Sequence, residues 1–404
     1  MPANVVAIEN DLAVVKSPRL YSIDLVRGLV IVLMVLDHVK GFMAHMPFDF
    51  VDLTRTTPVH FFTRWITHFC APVFMFLAGT GAFLHGARGR TKTELAWFLF
   101  SRGLWLVILE LTVIRYLWLL NVDYVHAFGG VLWAIGWAMV ALAGLIFLPV
   151  SAITVFGVAM IAFHNLADGV SSGDWEEYRW IWCILHTGEV FYPFDQHSFH
   201  PFYPLVPWVG VMAVGYSFGT LMLLEPSKRQ HEVLGLGIAL TLLFVVLRFA
   251  NVYGDKATSQ PGSPGPWSVQ DDWLFTVMSF LNCQKYPPSL DFLLMTLGPA
   301  LILLSLVERE PGSVGRFFIV FGRVPLFFYL AHWIVIRGMS LGVAYLRFGD
   351  VAWMFGQGER PSEDGLGLVM IYVLWIGVVV FLYPICWWFA RVKQRSRSVW
   401  LSYL

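Results

Sequence analysis

Apolar residues in this chain come in long runs of about twenty, broken by short polar or glycine- and proline-containing connections. A run of that length matches the thickness of a bilayer, where only a helix satisfies its own backbone amides. Ten runs meet the criterion, at 23–46, 60–86, 94–120, 128–148, 150–167, 203–225, 231–252, 288–307, 315–342 and 366–391. The fourth and fifth are separated by little more than Leu148-Pro149, a tight turn. A shorter segment, 267–281, carries Trp267, Trp273, Phe275 and Phe280 and is expected to lie flat at the interface. The pattern predicts an all-α polytopic membrane protein: a lead over 1–22, one transmembrane unit over 23–391 and a basic tail over 392–404. No internal repeat is evident.

Composition supports this reading. The 404 residues are 57% hydrophobic, 16% aromatic and only 13% charged, whereas a soluble domain carries roughly 25% charged residues. Disorder, coiled coil and disulfide scaffolds are excluded by the same values. Basic and acidic residues number 27 each, so no basic footprint for nucleic acid exists. The four cysteines are widely spaced and form no metal-ligand pattern, so no metal is expected. Cys183 and Cys283 both fall in loops predicted to face outward and could pair in an oxidising compartment.

Charge sets the expected orientation. Lys16, Arg19, Arg88, Arg90, Lys92, Lys228, Arg229, Arg309, Arg316 and the tail from Arg391 to Arg397 fall on one side. The connections on the other side, 47–59, 168–202, 253–287 and 343–365, are longer, aromatic and acidic. The positive-inside rule then places both termini in the cytoplasm, and the long outer loops point to an outward-facing site.

Ionisable groups inside spans mark candidate chemistry. In the first span Arg27 and His38 are eleven residues apart. That is three turns plus about 20°, so they share a face, roughly 16 Å apart along the axis. A guanidinium at the cytoplasmic end suits phosphate, and an imidazole at the outer end suits proton transfer. Arg27 as a snorkelling residue and His38 as an interfacial one is the plainer alternative. Asp37 precedes His38 and projects about 100° away from it. The second span adds Arg64, Thr67 and His68; antiparallel packing on the first would bring His68 to the depth of His38 as an acid/base partner. His45 and His60 border the first outer loop. In the third span Glu110 and Arg115 are five apart, poorly placed to pair with each other, and are read as structural partners of neighbouring spans. In the ninth, Tyr329 and His332 share a face, with Arg323 nearer the cytoplasm as a second anion-binding candidate. The segment from Lys285-Tyr286 through two prolines to Ser289 shapes the outer mouth or caps the eighth span. No phosphate-binding loop, nucleophile elbow or zinc-protease motif occurs.

The opening Arg19-Leu-Tyr-Ser-Ile-Asp24-Leu-Val-Arg27-Gly28, with Leu33-Met-Val-Leu-Asp37-His38, resembles the first span of heparan-alpha-glucosaminide N-acetyltransferase and its bacterial relatives. Asp52-Leu-Thr-Arg-Thr-Thr-Pro58, Phe61 to Pro72, Lys285 to Ser289, Gly322-Arg-Val-Pro-Leu-Phe-Phe-Tyr329 and the tail from Trp388 extend the resemblance over nearly the whole chain. It implies a multi-pass enzyme of a bacterial cytoplasmic membrane that uses acetyl-CoA from the cytoplasm to acylate a glycan or amino-sugar acceptor outside, and it suggests a homodimer. The wider superfamily places an arginine, ten residues and then a histidine in its first helix, as Arg27 and His38 do here. The human-type enzyme has its acting histidine in the first outer loop, where His45 is the nearest match, and looks to carry asparagine at the position of His38. His38, His68 and His45 are therefore the candidate catalytic residues. Arg27, Arg323 and Arg64 are the candidates for the coenzyme, and Asp37, Tyr286, Tyr329 and His332 for the acceptor. The extended pantetheine arm is of the same order as the Arg27–His38 spacing, so phosphates held at Arg27 and Arg323 would present a thioester near His38. Histidine would act as base or nucleophile, and the outer-loop aromatics Trp175, Trp180, Trp182, Tyr192, Phe194 and Tyr203 would stack on sugar. A secondary transporter lined by Arg102, Glu110 and Arg115, and a non-catalytic envelope scaffold, are the competing functions.

Overall fold

A computed structural model describes residues 20–44, 48–255, 264–357, 359, 361 and 365–396. All ten predicted apolar runs are helical, and the fold is all-α and polytopic. Helix α1 spans Tyr21–Met43; the second run is α2 (Pro58–Trp65) and α3 (Cys70–Gly86); the third is α4 (Lys92–Leu109) and α5 (Arg115–Leu119). Then come α6 (Val131–Leu145), α7 (Val150–Phe163), a short α8 (Arg179–Trp182), α9 (Leu205–Phe218) and α10 (Pro226–Ala250). The chain finishes with α11 (Trp273–Leu281), α12 (Leu290–Leu306), α13 (Ser313–Arg323), α14 (Pro325–Phe348) and α15 (Leu368–Arg395). Seven helical stretches among the described residues are long and apolar enough to cross a bilayer.

Three runs are interrupted, each for a local reason. Pro72 cannot donate to the carbonyl four residues earlier, and a 3-10 turn over Ile66–Phe69 separates α2 from α3. A π-turn over Glu110–Ile114 joins α4 to α5. The ninth run, expected as one helix over 315–342, is two: Pro325 opens α14 as its first residue and pushes Val324 out of helical geometry, to φ −133° and ψ 51°. The interfacial segment is helical only from Trp273, where the Asp272 side chain accepts from the backbone amides of Leu274 and Phe275.

Packing follows small residues. Helix α1 lies at the centre, against α3, α13, α14 and α15. At its crossing with α13 a Cβ on Gly28 would strike the Phe318 carbonyl, and one on Gly322 would strike that of Asp24. This close approach brings Arg323, the next residue along, to the start of α1. Helix α4 packs on α6, α3 and α7 on α9, and α10 on α12.

The loops at the end away from Arg88, Arg90 and Lys92 hold an element the hydropathy pattern did not predict. A three-stranded sheet pairs β1 (His126–Phe128) in parallel with β3 (His197–His200), and β2 (Phe191–Phe194) antiparallel with β3. All four cysteines are buried and free, so Cys183 and Cys283 do not pair.

Candidate functional site

Three cavities follow one another through the helices. The first, of about 410 Å³, opens among the basic residues and is lined by Asp24, Arg27, His85, Arg88, Arg323 and Lys393. The second, about 500 Å³, shares Arg27, His85, Arg88 and Lys393 with it and continues between apolar side chains such as Ile31, Leu99 and Ile135. The third, about 870 Å³, lies at the loop end and is walled by Asp37, His38, Lys40, Arg64, Glu110 and Tyr286, among others. Val131 and Tyr329 are the residues common to the second and third. Helix α1 thus presents Arg27 to the first two cavities and His38 to the third, as its periodicity requires.

At the inner end Arg27 reaches the Leu77 carbonyl at 3.5 Å and the Asp24 carboxylate at 3.8 Å. Nε of Arg323 and Nε2 of His85 are buried without a hydrogen-bond partner. Two orphaned nitrogens beside Arg27, Arg88 and Lys393 fit an anionic, phosphate-bearing group.

At the outer end the central contact is between two histidines. Nδ1 of His38 lies 2.7 Å from Nε2 of His332, and Nδ1 of His332 lies 3.1 Å from the Phe328 carbonyl. A carbonyl only accepts, so His332 Nδ1 carries the hydrogen and its Nε2, in a neutral ring, accepts. His38 Nδ1 must then donate, which leaves the lone pair on His38 Nε2. No described residue bonds to that atom, and His38 walls the third cavity. The tautomers follow from the network around them. Trp333 packs on the His38 ring at 4.6 Å and Tyr329 meets it edge-on at 6.3 Å, holding its orientation.

Asp37 points elsewhere on the same wall. Arg64 donates to both of its oxygens, at 2.7 and 2.6 Å, and Lys40 lies 2.9 Å from one of them. Two cations, Arg64 and Lys40, thus face this one carboxylate. Opposite stand Tyr203 and Tyr286, with hydroxyls 3.3 Å apart. Burial opposes ionisation of Tyr286, but the charges of Lys285 and Arg64 outweigh it and bring the phenol below its ordinary value.

The residues anticipated from sequence divide accordingly. Arg27 and Arg323 share the first cavity. Asp37, His38, Tyr286 and Tyr329 share the third, with His332 fully buried behind His38. Arg64 stands in the third cavity as the partner of Asp37, away from Arg27 and Arg323. His68 does not meet His38: the 3-10 turn directs it into the core beside Phe292, 5.5 Å between rings, with Nδ1 unpartnered. His45 lies outside the described residues. Glu110 and Arg115 do not pair with each other. Glu110 accepts from the Leu132 amide at the start of α6, at 3.0 Å, and Arg115 donates to the carbonyls of His126 and Asn121. The sequence assigns no site role to Lys40, which ends the ionisable run closing the first span, or to Trp333. The three-residue spacing from Asp37 was a usable signal for Lys40, whereas Trp333 read as one more interfacial aromatic.

Comparison with known proteins gives a match over residues 19–248, more than half of the chain, to the family model described as heparan-alpha-glucosaminide N-acetyltransferase, catalytic. No curated protein matches.

Proposed function

The chain belongs to the heparan-alpha-glucosaminide N-acetyltransferase catalytic family, and from that premise we propose that it moves an acetyl or longer acyl group from acyl-CoA in the cytoplasm to a hydroxyl or amine of a sugar-like acceptor on the outer face of a bacterial cytoplasmic membrane. The observation that carries this reading is the placement of Arg27 and His38 at opposite ends of one succession of cavities.

In this reading Arg27, Arg323, His85 and Arg88 hold the phosphates of the coenzyme, whose thioester supplies the activated acyl group. His38 Nε2 takes the proton of the acceptor hydroxyl or amine as the acceptor attacks the thioester carbonyl. The carbon–sulfur bond breaks, the new ester or amide forms, and His38 returns the proton to the departing thiolate sulfur. His332 accepts the hydrogen bond of His38 Nδ1 throughout, so the base keeps its reactive tautomer and the imidazolium is stabilised as it forms. The Asp37–Arg64–Lys40 cluster and Tyr286 orient the acceptor.

The test is acyl-CoA- and acceptor-dependent release of CoA by the purified protein. His38→Ala should reduce it by about 10²–10⁴-fold while the protein still folds. Undiminished turnover would remove His38 from the mechanism. Solute uptake into proteoliposomes without any acyl transfer would instead identify a transporter.

A further inference from the structure

A fourth cavity, about 430 Å³, lies among the loops and is lined by Asp168, Ser171, His186, Thr187, Glu189 and Gln284. Its remaining wall includes Tyr286, which also walls the cavity of His38. One aromatic ring therefore stands between the reaction cavity and a polar one. The segment bearing that ring is tied down: His164 reaches the Pro288 carbonyl at 2.8 Å, and Asn165 accepts from the Leu290 amide at 2.9 Å.

The polar cavity is pre-arranged. Asp168 is held by His186 at 3.0 Å and by the Asn165 amide at 2.9 Å. Glu189 accepts from the Ser172 hydroxyl at 2.6 Å. His186 is buried and sits on a π-turn over Cys183–Thr187, a rare backbone form that recurs at functional sites. Beside it Trp182 stacks on Trp175, 5.0 Å between rings and 9° from parallel. Oriented carboxylates accept from vicinal hydroxyls, an amide and hydroxyls return the bonds, and the Tyr286 ring in the wall receives the apolar side of a pyranose. Among the described residues Asp168 and Glu189 face a single cation, Arg179, 3.4 Å from Glu189, and the remaining negative charge disfavours an anionic sugar.

We propose that this cavity is a second acceptor subsite, binding a neutral or amino-bearing pyranose adjacent to the unit that is acylated, so that the acceptor is an oligosaccharide threaded past Tyr286. The inference rests on the acyl-transfer reading for its identity as an acceptor site, but its binding can be measured without turnover.

Two measurements test it. The first compares acyl transfer to glucosamine, to its β-1,4-linked disaccharide and to a uronate-containing disaccharide. The neutral or amino disaccharide should have at least tenfold higher kcat/KM than the monosaccharide. Glu189→Gln and Gln284→Ala should remove that advantage while leaving transfer to the monosaccharide unchanged. The second is calorimetric titration of the solubilised protein with the glucosamine disaccharide in the absence of acyl-CoA, where saturable binding should be lost in Gln284→Ala. Equal use of mono- and disaccharide, preference for the uronate, or variants that weaken both acceptors alike would overturn the subsite. Binding lost in Gln284→Ala, without acyl transfer to any sugar, would support the subsite and refute the acyl-transfer reading. Absence of both transfer and binding would overturn the two together.

Discussion

Replacing His332 by leucine tests the histidine pair most directly. The substitution removes the acceptor 2.7 Å from His38 Nδ1 and the donor 3.1 Å from the Phe328 carbonyl, at a site with no solvent exposure. A hydrogen bond of this kind contributes about 1 kcal/mol net, and an unsatisfied buried partner costs about 1–3 kcal/mol. The His38 hydrogen has no alternative acceptor on that side, so its ring is free to flip or change tautomer, and the population with a lone pair at Nε2 falls. A loss of about 1.4 kcal/mol at the transition state lowers kcat about tenfold. KM for acyl-CoA should not move, because Arg27 and Arg323 are at the other end of α1. The assay is initial-rate CoA release at varied acyl-CoA and varied acceptor, with thermal unfolding in detergent as the control for folding. His332→Gln, which keeps a carbonyl oxygen at similar reach, should recover part of kcat. A folded His332→Leu protein with wild-type kcat would refute the positioning role. A loss as large as that of His38→Ala would instead assign the reacting group to His332.

Two further outcomes are expected. Arg248 is buried, donates to the carbonyls of Phe280, Ser279 and Asn282, and lies 2.5 Å from Asp255; Arg248→Met should destabilise the protein by about 3–5 kcal/mol, and adding Asp255→Asn should restore part of the loss in denaturant titrations. Gly28→Val forces α1 and α13 apart where the Phe318 carbonyl leaves no room; it should cost about 1–3 kcal/mol and raise KM for acyl-CoA more than it lowers kcat, by displacing Arg323 from Arg27, and an unchanged KM would place the coenzyme elsewhere.

The helices were legible because lipid tolerates few alternatives to a twenty-residue apolar run, and the shared face of Arg27 and His38 was legible because helical phase is arithmetic. The His38–His332 contact was not, since it joins residues 294 positions apart and local periodicity says nothing about which helix neighbours which. An unbroken second helix would bring His68 to the depth of His38, but Pro72 signals that the helix tightens there. Val324-Pro325 carries a like signal for the ninth run. The outer sheet is not legible in the sequence because its strands are only three or four residues long, with alternation too brief to stand out among aromatic loops.

The meeting of the second and third cavities at Val131 and Tyr329 bears on the cell's energy supply. On the proposed acyl-transfer reading, a route for acyl groups through a bilayer is also a route for ions, and among the described residues the two cavities share only these two side chains. In that reading one aliphatic and one phenolic side chain form the partition between the two cavities. Electrical insulation and passage of cargo are therefore assigned to the same few ångströms, and shaving either residue to alanine trades the first for the second.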